Sequence, residues 1–115
     1  MKKFLVLYLA PADVIDEWMK TPAAERKTAE EKMQGDWKNW MREHAQLFAD
    51  PGAGVGKTKR VSAEGQSDIR NDIMLYGIVT AESHDAAAKA FVGHPHLGIP
   101  KATIEVMEIN PLPMG

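Results

Sequence analysis

The chain has 115 residues, 44% of them hydrophobic and 26% charged, with a net charge of −2 and no cysteine. Those values describe one domain, residues 1–115, large enough to build a core. They exclude disulfides, thiolate nucleophiles and cysteine-based zinc sites, and Lys and Arg form no basic block, so nucleic acid is not an expected partner.

Met1-Lys2-Lys3 ahead of six apolar residues, with Ala10-Pro11-Ala12 behind them, imitates the start of a secretory leader. The whole device is about a dozen residues against the ~15–30 of a real leader, so a strand is expected over residues 3–9 instead. It is apolar at both alternating positions, as in a strand covered on both sides. No run approaches the ~20 apolar residues of a membrane span; no membrane partner is expected, and the expected location is the cytoplasm.

Pro11 stops this strand, and Val14, Ile15, Trp18 and Met19 then recur at helical spacing. Thr21-Pro22 restarts a helix, with threonine as the expected N-cap and proline at the first helical position. Arg26 with Glu30 and Lys27 with Glu31 are four apart and mark a solvated helix face. Met33, Trp37, Trp40, Met41, His44, Leu47 and Phe48 form one broad apolar stripe. Gly35 is expected to bend or break this helix, and Asp50-Pro51-Gly52 to end it.

Residues 55–62 carry Lys57, Lys59 and Arg60 and predict a charged edge strand. Residues 63–72 predict a polar turn region, and residues 73–80 another nearly continuous apolar strand. Ser83-His84-Asp85 predicts an N-cap with an acidic first turn, opening a helix through Ala90 or Phe91. Residues 103–109 alternate glutamate with apolar side chains, again as at an edge.

The order β-α-β-β-α-β predicts an α+β, ferredoxin-like domain with a four-stranded antiparallel sheet. In that plan the first and third strands are central, where the two apolar runs fall, and the two charged strands are edges. Helices can cover only one sheet face, yet Phe4, Val6 and Tyr8 alternate with Leu5, Leu7 and Leu9. An uncovered apolar face implies an interface. A homodimer packed sheet to sheet is expected, with roughly 800 Å² buried per partner at standard size.

Several short segments together carry a resemblance: Phe4-Leu-Val-Leu-Tyr8, Trp37-Lys-Asn-Trp40-Met41, Leu47-Phe-Ala-Asp50-Pro-Gly52 and Gly56-Lys-Thr-Lys59. Tyr76-Gly-Ile-Val79, His94-Pro-His96-Leu97 and Ile104-Glu-Val-Met-Glu108 complete the set. The chain resembles the YCII-related (DGPF-type) proteins of the dimeric α/β-barrel superfamily. The resemblance implies a ferredoxin-like protomer, a dimer with a sheet-walled barrel and a small pocket between sheet and helices. Members of the YCII branch place the histidine of a His–Asp pair early in the chain, associated with a dehydrochlorinase-like reaction. Residues 11–20 contain no histidine here, so that pair is not carried over.

Gly52-Ala-Gly-Val-Gly-Lys-Thr58 imitates a phosphate-binding loop, but only three residues separate Gly52 from Gly56-Lys57-Thr58 where the motif needs four. It also lies between a helix and a strand, the wrong way round, so a turn is expected there. His94-Pro95-His96-Leu97 sets two imidazoles one residue apart in a segment that proline keeps from α-helix. Three roles are open to it: metal ligation without an evident third ligand, acid–base catalysis with Asp50 as the orienting carboxylate, or helix capping. His44 lies on the tryptophan stripe, as a core histidine bonded to a backbone group or as a pocket-lining base. Tyr76, on a central strand, either donates its hydroxyl into a pocket or packs.

The expected function is that of a dimeric small-molecule pocket protein without metal or cofactor. Proton-transfer or lyase-type chemistry on a small aromatic or carboxyl-bearing substrate would run through His94 or His96 with Asp50. Trp37, Trp40, His44 and Tyr76 would line the substrate site. The competing expectation is a noncatalytic dimerisation or interaction module, with a filled space between the sheets and histidines engaged in capping.

Overall fold

The computed structural model describes residues 1–113. It is an α+β structure whose main sheet has four antiparallel strands in the order β2-β5-β1-β6, with a separate two-stranded sheet, β3-β4. In chain order the elements are β1 (Lys2–Leu9), α1 (Ala12–Met19), α2 (Ala23–Glu43), a 3-10 turn (Ala45–Leu47), β2 (Phe48–Gly54), β3 (Thr58–Ser62) and β4 (Gly65–Ile69). They continue with β5 (Ile73–Ala81), α3 (His84–Lys89), a second 3-10 turn (Pro95–Gly98) and β6 (Thr103–Glu108). No helix among the described residues is long and apolar enough to cross a membrane.

The two apolar runs, β1 and β5, pair with each other in the middle of the sheet, with Phe4 opposite Val79, Val6 opposite Gly77 and Leu7 opposite Tyr76. Side chains alternate across a strand, so one face carries Phe4, Val6, Tyr8, Leu75 and Val79. Trp40 from α2, Ala87 from α3 and Phe91 complete the core on that face. Phe4, Val6 and Val79 are fully enclosed, whereas Leu5, Leu7, Leu9, Tyr76 and Ile78 on the other face remain half-buried. Ser83 caps α3 as its sequence signal predicts, its hydroxyl accepting from Ala86 N–H at 3.0 Å.

Helix α2 runs through Gly35 without a break, correcting the expected bend. A Cβ on Gly35 would meet nothing within 4 Å, so this glycine sits on an open flank where only its backbone entropy matters, about 1 kcal/mol. The Trp37–Trp40 stripe on the opposite flank outweighs it. At the start of α2 the N-cap is Pro22, with no side-chain cap bond, rather than Thr21.

The larger correction concerns the second strand of the sheet. The helix ends at Glu43, and the edge strand beside β5 is Phe48–Gly54, read from sequence as the helix end. The apolar stripe of α2 continues in phase through Leu47 and Phe48, which hides the change of period. Pro51 is tolerated because β2 is an edge with two register slips. Gly52 adopts φ +79, and a Cβ there would collide with the Tyr76 carbonyl. Opposite it, a Cβ on Gly77 would lie 3.2 Å from the Phe48 ring and 3.3 Å from the Pro51 carbonyl oxygen. Two glycines thus allow the close approach that makes this edge.

The expected edge strand at 55–62 is displaced in consequence. Its part Thr58–Ser62 pairs instead with Gly65–Ile69, inside the region expected to be a polar turn. Every residue of this hairpin is exposed except Thr58 and Ile69 at its base. Arg70, just beyond it, ties the hairpin to α1 through two bonds to Asp16, of 2.9 and 3.1 Å. The radius of gyration is 16.3 Å and the principal extents are 53 × 45 × 19 Å, against about 13 Å for a compact chain of this length. The molecule is one sheet and one helical layer thick.

Candidate functional site

The His94-Pro95-His96-Leu97 segment forms the second 3-10 turn, packed between the C-terminal half of α2 and the ends of β1 and β6. Proline at its first position supplies the φ that a 3-10 turn needs while giving up an N–H that would have no partner there. His94 is the N-cap, its Nδ1 accepting from His96 N–H at 2.9 Å. The histidine therefore caps the turn that follows it, not the helix that precedes it. His96 Nε2 donates to the Leu9 carbonyl at 2.9 Å, pinning the turn to β1 where the β1–β5 register slips.

Both rings are enclosed, 2% and 1% exposed. His94 lies among Trp40 (ring centroids 4.3 Å apart), Trp37 (4.4 Å), Tyr8 (5.4 Å) and Phe91 (5.9 Å). Because Nδ1 is an acceptor, the neutral ring carries its proton on Nε2. That Nε2 is a buried side-chain nitrogen without a hydrogen-bond partner, among rings that can offer only weak N–H···π contacts. Burial, together with the neighbouring His96 and His44, pushes the His94 pKa down to about 4. Burial also lowers His96, against the carbonyls of Leu9 and Thr103, which favour its charged form. Tyr8 is pushed up to about 12 by burial, so its phenol stays neutral beside the histidines.

The structure brings five of the seven sequence-derived candidates together: Trp37, Trp40, His44, His94 and His96. His44, at the end of α2, stacks on Trp40 with centroids 4.0 Å apart and donates from Nδ1 to the Trp40 carbonyl at 2.8 Å. This is the backbone-bonded arrangement, one of its two expected readings. Asp50 and Tyr76 are elsewhere. The register sets Asp50 opposite Ile78 and Tyr76 opposite Leu7, on the sheet face away from the helices. Asp50 is exposed, and its carboxylate accepts from Gly52 N–H at 2.8 Å rather than from an imidazole. Tyr8 and Phe91 take the places at the histidines that sequence reading did not assign. The signal for Tyr8 was its parity with Phe4 and Val6 on β1.

His84, at the start of α3, donates to the Val106 carbonyl at 2.7 Å, stacks on Phe4 and lies 3.9 Å from Glu108. It joins α3 to β6 at a half-exposed position. Among the described residues no three His, Asp or Glu side chains are grouped to hold a metal ion.

Neither of two open surface clefts is lined by His94 or His96. One, about 230 Å³, lies between α1 and the base of the hairpin, with Ile15, Lys57, Arg70 and Met74 in its wall. The other, about 270 Å³, is an apolar groove of Ala88, Phe91, Val92, Leu97, Ile104 and Val106. As folded, the histidine cluster holds a turn, with both rings enclosed. No protein-family model matches the chain, and no curated protein matches it.

Proposed function

We propose that this chain is the ferredoxin-like protomer of a homodimer that closes two sheets face to face as a dimeric α/β barrel and binds a small molecule between them. The observation that carries the reading is the half-buried apolar face of Leu5, Leu7, Leu9, Tyr76 and Ile78, on a sheet whose helices cover only the other side. Adjacency of the first and last strands, β1 and β6, supports the ferredoxin-like plan. The thin, spread shape supports a missing second layer. Tyr76, Asp50 and Glu105 are among the polar groups that the register sets on this face, with Lys3, Thr80 and Thr103 towards its ends. An aromatic ring suits a floor of leucine and tyrosine, with orientation fixed by those few polar groups.

A second reading is favoured by one specific observation: His94 and His96 are spent on capping and pinning a turn. On that reading the open face serves dimerisation alone, and the protein is a noncatalytic interaction module. Sedimentation at micromolar concentration tests the part common to both, since a monomer removes both. A thermal-shift screen of small aromatic acids, phenols and amines separates them. Stabilisation by an aromatic that is lost on replacing Tyr76 supports the binding reading; no stabilisation across the panel supports the interaction module.

A further inference from the structure

We propose that the His94–His96 turn is an acid-sensitive clasp, which holds the chain between α2 and β1 while His94 is neutral and lets go when that ring is protonated. The proposal rests on the hydrogen-bond geometry and does not depend on a dimer or a ligand. The His94 Nδ1 lone pair is the acceptor that closes the turn on His96 N–H. With the neutral ring's proton already on Nε2, a second proton has only Nδ1 to go to. Protonation therefore converts the acceptor into a donor aimed at another donor, and the cap is lost.

The surroundings give the resulting cation no counter-charge. The titratable groups facing His94 are Tyr8 from β1, His44 from the end of α2 and His96 from its own turn. Tyr8 is neutral, and the two imidazoles add repulsion if charged. Among the described residues no Asp or Glu forms an ion pair with His94 or His96. The indole faces of Trp37 and Trp40 attract a cation, but they cannot replace the lost acceptor. The ring's low pKa, about 4, follows from this enclosure.

The backbone at the two ends of the segment is unusual. Gly93 at φ +80 and Lys101 at φ +61 bracket it, both in the left-handed region. For lysine that conformation is strained, so release of the turn relieves strain at one end while glycine turns freely at the other. Pro95 and Pro100 limit the conformations between. Opening would uncover Trp37 and His96 and detach Leu9 from its donor.

Nitrogen-resolved NMR of the histidine rings in the wild-type protein tests the clasp without substitution. At about pH 7, His94 should be neutral with its proton on Nε2, titrating only near pH 4. In the same step the protection of the His96 amide against exchange should fall roughly tenfold, as for one lost buried hydrogen bond. A His94 that is charged or carries its proton on Nδ1 at neutral pH overturns the proposal. So does a His96 amide whose protection survives the titration. His94→Asn keeps a side-chain acceptor that does not titrate, and should abolish the acid step in tryptophan emission. His44→Gln and His96→Gln should retain that step, and its persistence in a folded His94→Asn protein also overturns the clasp. If His94→Asn does not fold, the wild-type ring titration and the His96 amide decide the matter alone.

Discussion

Tyr76 lies directly opposite Leu7 in the β1–β5 ladder, one residue along from the pair that sets Tyr8 opposite Leu75. That single step puts the two tyrosines on opposite faces of the sheet. Tyr8 joins the histidines under the helices, and Tyr76 joins the open leucine face. The division separates what can be tested on the proposed dimer surface from what can be tested in the core.

On the open face, Leu7→Lys places a charge in the middle of the proposed interface while leaving the helix-side core untouched. Sedimentation should show a dimer in the wild type and a monomer in the variant, with helical and sheet circular dichroism unchanged. A variant that remains dimeric would move the interface away from this face.

Two glycines offer a matched pair of opposite sign. Gly35→Ala on α2 meets nothing within 4 Å and should stabilise the protein by about 0.5–1 kcal/mol through reduced freedom of the unfolded chain. Gly52→Ala forces a Cβ towards the Tyr76 carbonyl at a φ of +79, and should cost about 1–3 kcal/mol or more. Denaturant midpoints of the two variants check both directions.

Trp40 is the buried side chain of α2, 8% exposed, and it touches His44, Phe48, Phe91 and His94. Trp40→Ala should lose about 3–5 kcal/mol and increase exchange across the C-terminal half of α2. The N-terminal half, which buries no side chain, should change little by comparison. Uniform loss along the helix would contradict this picture.

Stability should also depend on pH in a direction set by His94. Its folded pKa, about 4, lies below its ordinary value of 6.5, so the unfolded chain binds the extra proton first. The contribution is complete above about pH 6.5 and is lost as the pH falls towards 4, at most about 3 kcal/mol. His96, also lowered, acts in the same sense. Urea midpoints measured between about pH 7 and 4 should fall, and by less in His94→Asn. An equal fall in both would assign the acid dependence to groups other than His94.

Much of the architecture was legible because it followed from side-chain period and local chemistry. Residues 3–9 and 73–80 read as apolar strands and are the two central ones. Ser83 read as a cap and is one. What misled was a stretch in which two periods coincide. Leu47 and Phe48 continue the helical stripe of Trp40 and His44, yet Phe48 belongs to a strand. The strand forms because Gly52 and Gly77 let two backbones approach, and that need is invisible until the partner strand is known. Once Phe48–Gly54 takes the edge, the charged residues 58–62 must find another partner, and they find it in Gly65–Ile69.

The candidate site divides in the same way. His94-Pro-His96 was recognisable as a non-helical turn rich in proton-binding groups, since proline and imidazole act locally. Sequence also put Trp37, Trp40 and His44 on one helix stripe, because spacing of three and four residues does so in any α-helix. Whether the imidazoles face a cavity depends on which lone pair is used, and that is a tertiary matter. The His96 amide takes one nitrogen of His94, the Leu9 carbonyl takes the proton of His96, and four aromatic rings close over the rest. Asp50 could be named as their orienter from its residue type and from a loop that could lie beside the histidine loop at one end of the sheet. The register places it on the far face of the sheet, because direction across a sheet is set by pairing and not by proximity along the chain.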